Sequence, residues 1–122
     1  MKKFLLQRWK SINHAWSGLR IFMKTEVHAR LHLTAAVMVL FAGWIFDFSL
    51  FEWLFVIISI GLVFLAEIFN TVLERMMDFV HPDVHPEVKV IKDMAAGAVL
   101  WISFIVFIVG LILFGSRWVA GG

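Results

Sequence analysis

Glu67 is a carboxylate set in a sequence that otherwise reads as hydrocarbon. It lies 14 positions after Trp53, about 21 Å along a helix axis, in a run that holds no other charge from 53 to 73. A charge near the centre of a bilayer costs roughly 2.5–3.5 kcal/mol on insertion scales, so such a group is expected to face a bundle interior and to have a task. Asn70, Thr71, Glu74 and Asp78 follow at offsets of 3, 4, 7 and 11. At helical spacing these offsets fall within roughly 100° of arc, which makes one continuous polar face. The opposite face, with Ile68, Phe69, Val72 and Met76, is apolar.

Carboxylates running down one face from a membrane interface into the membrane can do three things. They can hold Mg²⁺ together with phosphate and water, take a proton from a substrate hydroxyl, or pass ions along a pathway. Simple helix-to-helix adhesion through Asn and Thr is the structural alternative, but two carboxylates and an Asn within two turns are expensive for that purpose. A second cluster bears on the choice. Lys92-Asp93 opens another apolar stretch and is followed at once by Met94-Ala-Ala-Gly-Ala98, whose small side chains let helices approach closely. A lysine at this interface suits phosphate as a compact point charge, or else serves as a snorkelling anchor. Glu26 adds a third carboxylate, the one acid in a base-rich N-terminal segment.

Other chemistries lack support. The chain has no cysteine, so disulfides, thiolate metal sites and cysteine nucleophiles are excluded. No GxxxxGK[ST], GxGxxG or HExxH occurs. No RRM or zinc-finger signature points to nucleic acid. His81 and His85 have the i, i+4 spacing of zinc ligands, but Pro82 and Pro86 argue against a helix there, and loop or nucleotide contacts are the expectation. His28 and His32 repeat that spacing where the first apolar stretch begins, which suits interfacial hydrogen bonding.

The elements that must hold these groups are membrane helices. Of 122 residues 61% are hydrophobic and 16% charged, with a mean hydropathy of +0.90, against about 45–50% and about 25% in average soluble domains. One domain spanning 1–122 is expected, an all-α membrane protein with transmembrane helices over about 31–51, 53–73 and 94–116. The seven Lys and Arg of residues 1–30 against one acid give +6, while the remainder has four bases and eight acids. Positive-inside reasoning then predicts a multi-pass protein of the inner, cytoplasmic membrane, with the N-terminus and the 74–93 connection cytoplasmic; Arg117 is one base out of place at the outer end. Trp44, Trp53 and Trp118 stand where interfacial aromatics are expected.

Residues 1–30 form the cytoplasmic arm. Leu5, Trp9, Ile12, Trp16, Leu19 and Met23 recur in steps of 4, 3, 4, 3 and 4, a single helical stripe with Lys10, Ser17, Arg20 and Lys24 largely off it. That pattern predicts an amphipathic helix lying on the cytoplasmic leaflet, with packing against its own bundle as the alternative. Phe4-Leu5-Leu6 is too short for the apolar core of a cleavable signal. The two prolines of the 79–90 segment predict an ordered turn between the second and third spans.

Four segments carry a family resemblance: His14-Ala-Trp-Ser-Gly-Leu19, Glu26-x-x-x-Arg30-Leu-His32, Ala66-Glu-Ile-Phe-Asn-Thr-Val-Leu-Glu74 with Asp78, and Lys92-Asp-Met-Ala-Ala-Gly-Ala-Val-Leu100. In this order, across about residues 11–114, the chain resembles the small integral-membrane lipid kinases of the prokaryotic diacylglycerol kinase and undecaprenol kinase family. The resemblance implies a three-span homotrimeric enzyme that transfers the γ-phosphoryl group of ATP, with Mg²⁺, to a membrane lipid hydroxyl. It implies Glu67 as general base and Glu26 and Glu74 as carboxylates for the metal. His14, Asp83, His85, Lys92 and Asp93 join Glu26 and Glu74 on the nucleotide side; Arg30, Asn70 and Ala96 line the lipid side with Glu67. The Arg30-Leu-His32 form resembles the Gram-positive-like branch, several members of which phosphorylate undecaprenol. His28 departs from that branch's usual Asn, and Ile91 from its usual Ala. The competing reading from another class is a small oligomeric ion or proton conductor with rings of Glu67 and Glu74, for which Lys92 and the N-terminal arm have no use.

Overall fold

The computed structural model describes residues 1–121, which form four helices in chain order: α1 (Lys2–Thr25), α2 (Val27–Ile45), α3 (Leu50–Val80) and α4 (Pro86–Ala120). The last three are long and apolar enough to cross a membrane. Together with α1 they make the all-α, three-span architecture expected from the sequence.

α1 and α2 are separated by a single residue. Glu26 is extended (φ −99°, ψ 119°), ends α1 through its N–H on the Phe22 carbonyl at 3.0 Å, and at the same time caps α2. The Thr25 hydroxyl, folded back on the Ile21 carbonyl at 2.9 Å, also reaches the Glu26 carboxylate at 3.3 Å. On α1 only Phe22 is buried; Leu5, Trp9, Ile12, Trp16 and Leu19 are all exposed. The apolar stripe therefore does not pack on the chain's own bundle.

α2 buries Ala29, Ala36 and Gly43, seven residues apart on one face, with His32 half-buried between the first two. Small residues on that face bring α2 close to α3. The closest approach is at Gly43, where a Cβ would sit 2.7 Å from the Trp53 ring and 2.8 Å from Phe48. The first span stops at Ile45, six residues before the expected Phe51. Asp47 adopts φ 50°, a left-handed conformation that Asp tolerates better than most residues. Ser49 then starts α3 as one half of a capping box with Glu52: its hydroxyl accepts from the Glu52 N–H at 3.3 Å, and its own N–H donates to the Glu52 carboxylate at 2.6 Å.

α3 and α4 outrun the expected spans. Thirty-one and 35 residues make about 46 and 52 Å of helix, well beyond a hydrocarbon core of about 30 Å. Of the expected 79–90 turn, only 81–85 is a turn. Pro82 disfavours helix at His81, whose N–H closes α3 on the Met77 carbonyl at 2.9 Å. Pro86 breaks nothing because it is the first residue of α4, where its missing N–H has no partner to lose. His85 caps α4 by accepting the Glu87 N–H at 3.1 Å.

At the opposite end, Arg117 near the C-terminus of α4 closes the bundle. It donates to both carboxylate oxygens of Glu52 at 3.1 Å and to the carbonyls of Phe46 (2.7 Å) and Asp47 (3.1 Å), with its guanidinium 5.9 Å from the Phe48 ring centroid. The base that stood out against the charge rule is neutralised by a carboxylate in the first turn of α3. The interior of the single chain is thin. α3 contributes Val56, Ser59, Glu67 and Thr71, α4 contributes Ala95, and among the described residues no large side chain is wholly buried.

Candidate active site

The buried face of α3 ends in polar residues, and Glu67 is the deepest carboxylate among them. Its side chain is 7% exposed and accepts a hydrogen bond from His32 Nε2 of α2 at 3.0 Å. His32 is 29% exposed, and its ring meets Phe64 edge-on at 6.4 Å between centroids. One helical turn along α3, Thr71 is buried, and the Oδ1 atom of Asn70 is buried with no hydrogen-bond partner. A buried acceptor left open in this way calls for a donor from outside the chain. Glu67, His32 and Asn70 together offer a proton acceptor, a group that orients it and an open acceptor.

Toward the 81–85 turn the face becomes ionic. Arg75 of α3 lies 3.6 Å from the Glu26 carboxylate and donates to the Thr25 hydroxyl at 2.6 Å, which ties the α1–α2 break to α3 beside the half-buried Glu74. Lys92 of α4 pairs with Asp78 of α3, and Asp93 pairs with Lys89 one turn earlier on α4. The structure thus brings Glu26 to α3, within one residue of Glu74, and Lys92 to the end of the polar face.

Other expected site residues are not drawn in. His14 and Arg30 are exposed on α1 and α2, Ala96 is exposed while Ala95 takes the buried position, and Asp83 and His85 lie in the exposed turn. His85 is occupied on Nδ1 by its capping bond, and His81 Nδ1 donates to the Asp83 carbonyl at 3.2 Å. The two imidazoles stand edge-on, 5.2 Å apart between centroids. Among the described residues no three His, Asp or Glu side chains converge as a metal cage.

Sequence reasoning missed the role of His32. A signal was available: Ala29, Ala36 and Gly43 repeat every seven residues, and His32 sits three after the first, on the same face. Arg75 and Asp78 as ionic partners of Glu26 and Lys92 were not legible either, since each pair joins residues far apart in the chain.

The family described as prokaryotic diacylglycerol kinase matches residues 13–114, from the middle of α1 through most of α4. The chain belongs to the prokaryotic diacylglycerol kinase family. It is 37% identical over 106 residues to the undecaprenol kinase of Bacillus subtilis (strain 168), covering 87% of this chain and 86% of that protein. It is 32% identical over 101 residues to the diacylglycerol kinase of a Synechocystis strain, covering 82% of this chain and 58% of that longer protein. As a member of this kinase family the chain is a membrane lipid kinase with a nucleotide as phosphoryl donor.

Proposed function

We propose that this chain transfers the γ-phosphoryl group of ATP to the hydroxyl of a membrane lipid alcohol, undecaprenol or diacylglycerol. The observation that carries the mechanism is the hydrogen bond between Glu67 and His32, which fixes a water-poor carboxylate on the membrane side of an ionic cluster. Glu67 takes the proton of the lipid hydroxyl as its oxygen attacks the γ-phosphorus in line and the bond to the ADP oxygen breaks. His32 holds the carboxylate in place by donating to Oε1. Asn70 lines the lipid side, together with Arg30 and Ala96, and its free Oδ1 suits a hydroxyl donor.

Lys92 is the cation best placed for phosphate on the α4 side, with Asp93, His14, Asp83 and His85 as further nucleotide contacts. Phosphoryl transfer asks the protein mainly for alignment and charge neutralisation, which matches a face graded from charged residues to a single buried acid. Mg²⁺ needs only one or two carboxylates beside substrate phosphates and water. Glu26, which pairs with Arg75, and Glu74, the residue before that arginine on α3, offer no more than the two carboxylates that demand allows. These two carboxylates would hold the ion, whose positive charge would offset the negative charge of the phosphates.

The enzyme is proposed to be a homotrimer in the inner membrane, with α1 and the 81–85 turn on the cytoplasmic side, where ATP is. The thin interior and the outward apolar faces of α2–α4 support assembly with further copies. Phosphorylation of both lipids with ATP in detergent, with Mg²⁺ and then with chelator, tests the reading. Transfer that needs the ion and disappears in Glu26→Gln and Glu74→Gln supports it; metal-independent transfer contradicts the role given to these carboxylates.

A further inference from the structure

Glu26 is the single residue between α1 and α2, yet its side chain makes no capping bond to α2. Its carboxylate takes its partners from elsewhere. Oε1 lies 3.3 Å from the Thr25 hydroxyl and 3.6 Å from Nη2 of Arg75, and the same Nη2 donates to the Thr25 hydroxyl at 2.6 Å. Arg75 stands fifty positions away from Thr25, on α3. Among the described residues no other polar side-chain contact joins the 25–26 break to α3. Thr25 accepts from Arg75 and shares its one proton between the Ile21 carbonyl, at 2.9 Å, and Glu26. These contacts all fall on Oε1, and Oε2 has no hydrogen-bond or ion-pair partner among the described residues.

From this clasp we infer that Arg75 is a positioning residue for the metal-bearing nucleotide. By gripping Thr25 and Glu26 together it holds the Glu26 carboxylate at α3, within one residue of Glu74, through one oxygen and leaves the other for the ion. The inference rests on the reading of Glu26 and Glu74 as metal carboxylates and adds to it the group that sets their spacing. Carboxylates that bind metals are commonly hydrogen-bonded in turn by groups that orient them and never meet the ion. Arg75 acts in that way, through Thr25 and Glu26, and touches neither phosphate nor lipid. The guanidinium is half open to water, 52% exposed against 26% for Glu26, so the clasp contributes geometry far more than stability.

The test reads binding as well as turnover. Mn²⁺ is titrated, by its paramagnetic resonance signal, into protein in detergent with the nonhydrolysable analogue AMP-PNP. Trinitrophenyl-ATP is titrated with EDTA present, which reads nucleotide affinity without metal. Arg75→Ala is expected to weaken Mn²⁺ binding about tenfold, the lower end of what losing an orienting partner of a metal-binding residue does. The KM for MgATP should rise in step, while metal-free nucleotide affinity, the KM for lipid, melting temperature and oligomer size hold. Thr25→Val, which removes the hydroxyl, should shift Mn²⁺ affinity in the same direction. Thr25→Ser should restore it, and Arg75→Lys should restore part. Unchanged Mn²⁺ affinity in both Arg75→Ala and Thr25→Val overturns the inference. So does a loss of metal-free nucleotide affinity in Arg75→Ala alone, which would make Arg75 a direct phosphate contact. A fall in kcat that tracks a lowered melting temperature, with Mn²⁺ affinity held, would make the clasp merely structural and overturn it too. A wild type that phosphorylates lipid yet binds no Mn²⁺ beside the nucleotide overturns the metal reading of Glu26 and Glu74. No transfer to any lipid overturns the kinase reading itself.

Discussion

Replacing His32 tests whether Glu67 works alone or as half of a pair. The bond is 3.0 Å long, and the carboxylate that accepts it is 7% exposed. Removing one partner of a buried hydrogen bond leaves the other unsatisfied at a cost of about 1–3 kcal/mol. If that loss falls on the transition state, it corresponds to a fall in kcat of roughly 5- to 150-fold. His32 is 29% exposed, so water can fill part of the gap, which places His32→Ala at the lower end, about tenfold. His32→Gln, which keeps a donor, recovers part of the loss. The assay is steady-state phosphorylation of undecaprenol in micelles, with kcat and the KM for ATP measured separately. Because His32 acts through Glu67, kcat should fall while the KM for ATP holds. An undiminished kcat in His32→Ala, or a KM for ATP that rises in step with the fall in kcat, would refute the pairing.

Further outcomes follow from the packing and the ion pairs. Gly43→Ala places a Cβ 2.7 Å from Trp53 and should lower stability by about 1–3 kcal/mol in thermal unfolding. Gly61→Ala, with nothing within 4 Å, should be neutral or gain up to about 1 kcal/mol. Arg117→Ala removes the donors that tie Glu52 to the Phe46 and Asp47 carbonyls; the melting temperature should fall, Arg117→Lys should recover only part of it, and kcat at low temperature should hold. Asp78 of the Lys92–Asp78 pair is 65% exposed, so the pair is worth about 1 kcal/mol or less to stability. Lys92→Ala should therefore abolish activity at nearly unchanged melting temperature, while Asp78→Asn retains activity; equal loss in both would mean that the pair itself, not a phosphate contact, is what matters.

The three spans and the amphipathic arm were legible because hydropathy and period are local properties, as were the carboxylates that share the face of α3 with Glu67. Helix ends were read less well. Asp47 ends the first span early through a backbone conformation that hydropathy does not register, and Pro86, read as part of a loop, starts a helix because a proline at the first position loses no bond. Pairings across the fold were out of reach: His32 with Glu67, Arg75 with Glu26, Arg117 with Glu52. Each depends on which helices pack and in what register, information that residues 35, 49 and 65 positions apart do not carry in the sequence.

The central claim, that Glu67 is the base of a lipid kinase, is tested most directly by one comparison. Purified wild type and Glu67→Gln, matched for oligomer size and melting temperature, are given γ-labelled ATP and Mg²⁺ with undecaprenol or diacylglycerol in micelles, and label in the lipid phosphate is counted. The account predicts transfer by wild type and none above background by the variant. Equal transfer by both proteins would remove Glu67 from the chemistry and contradict it.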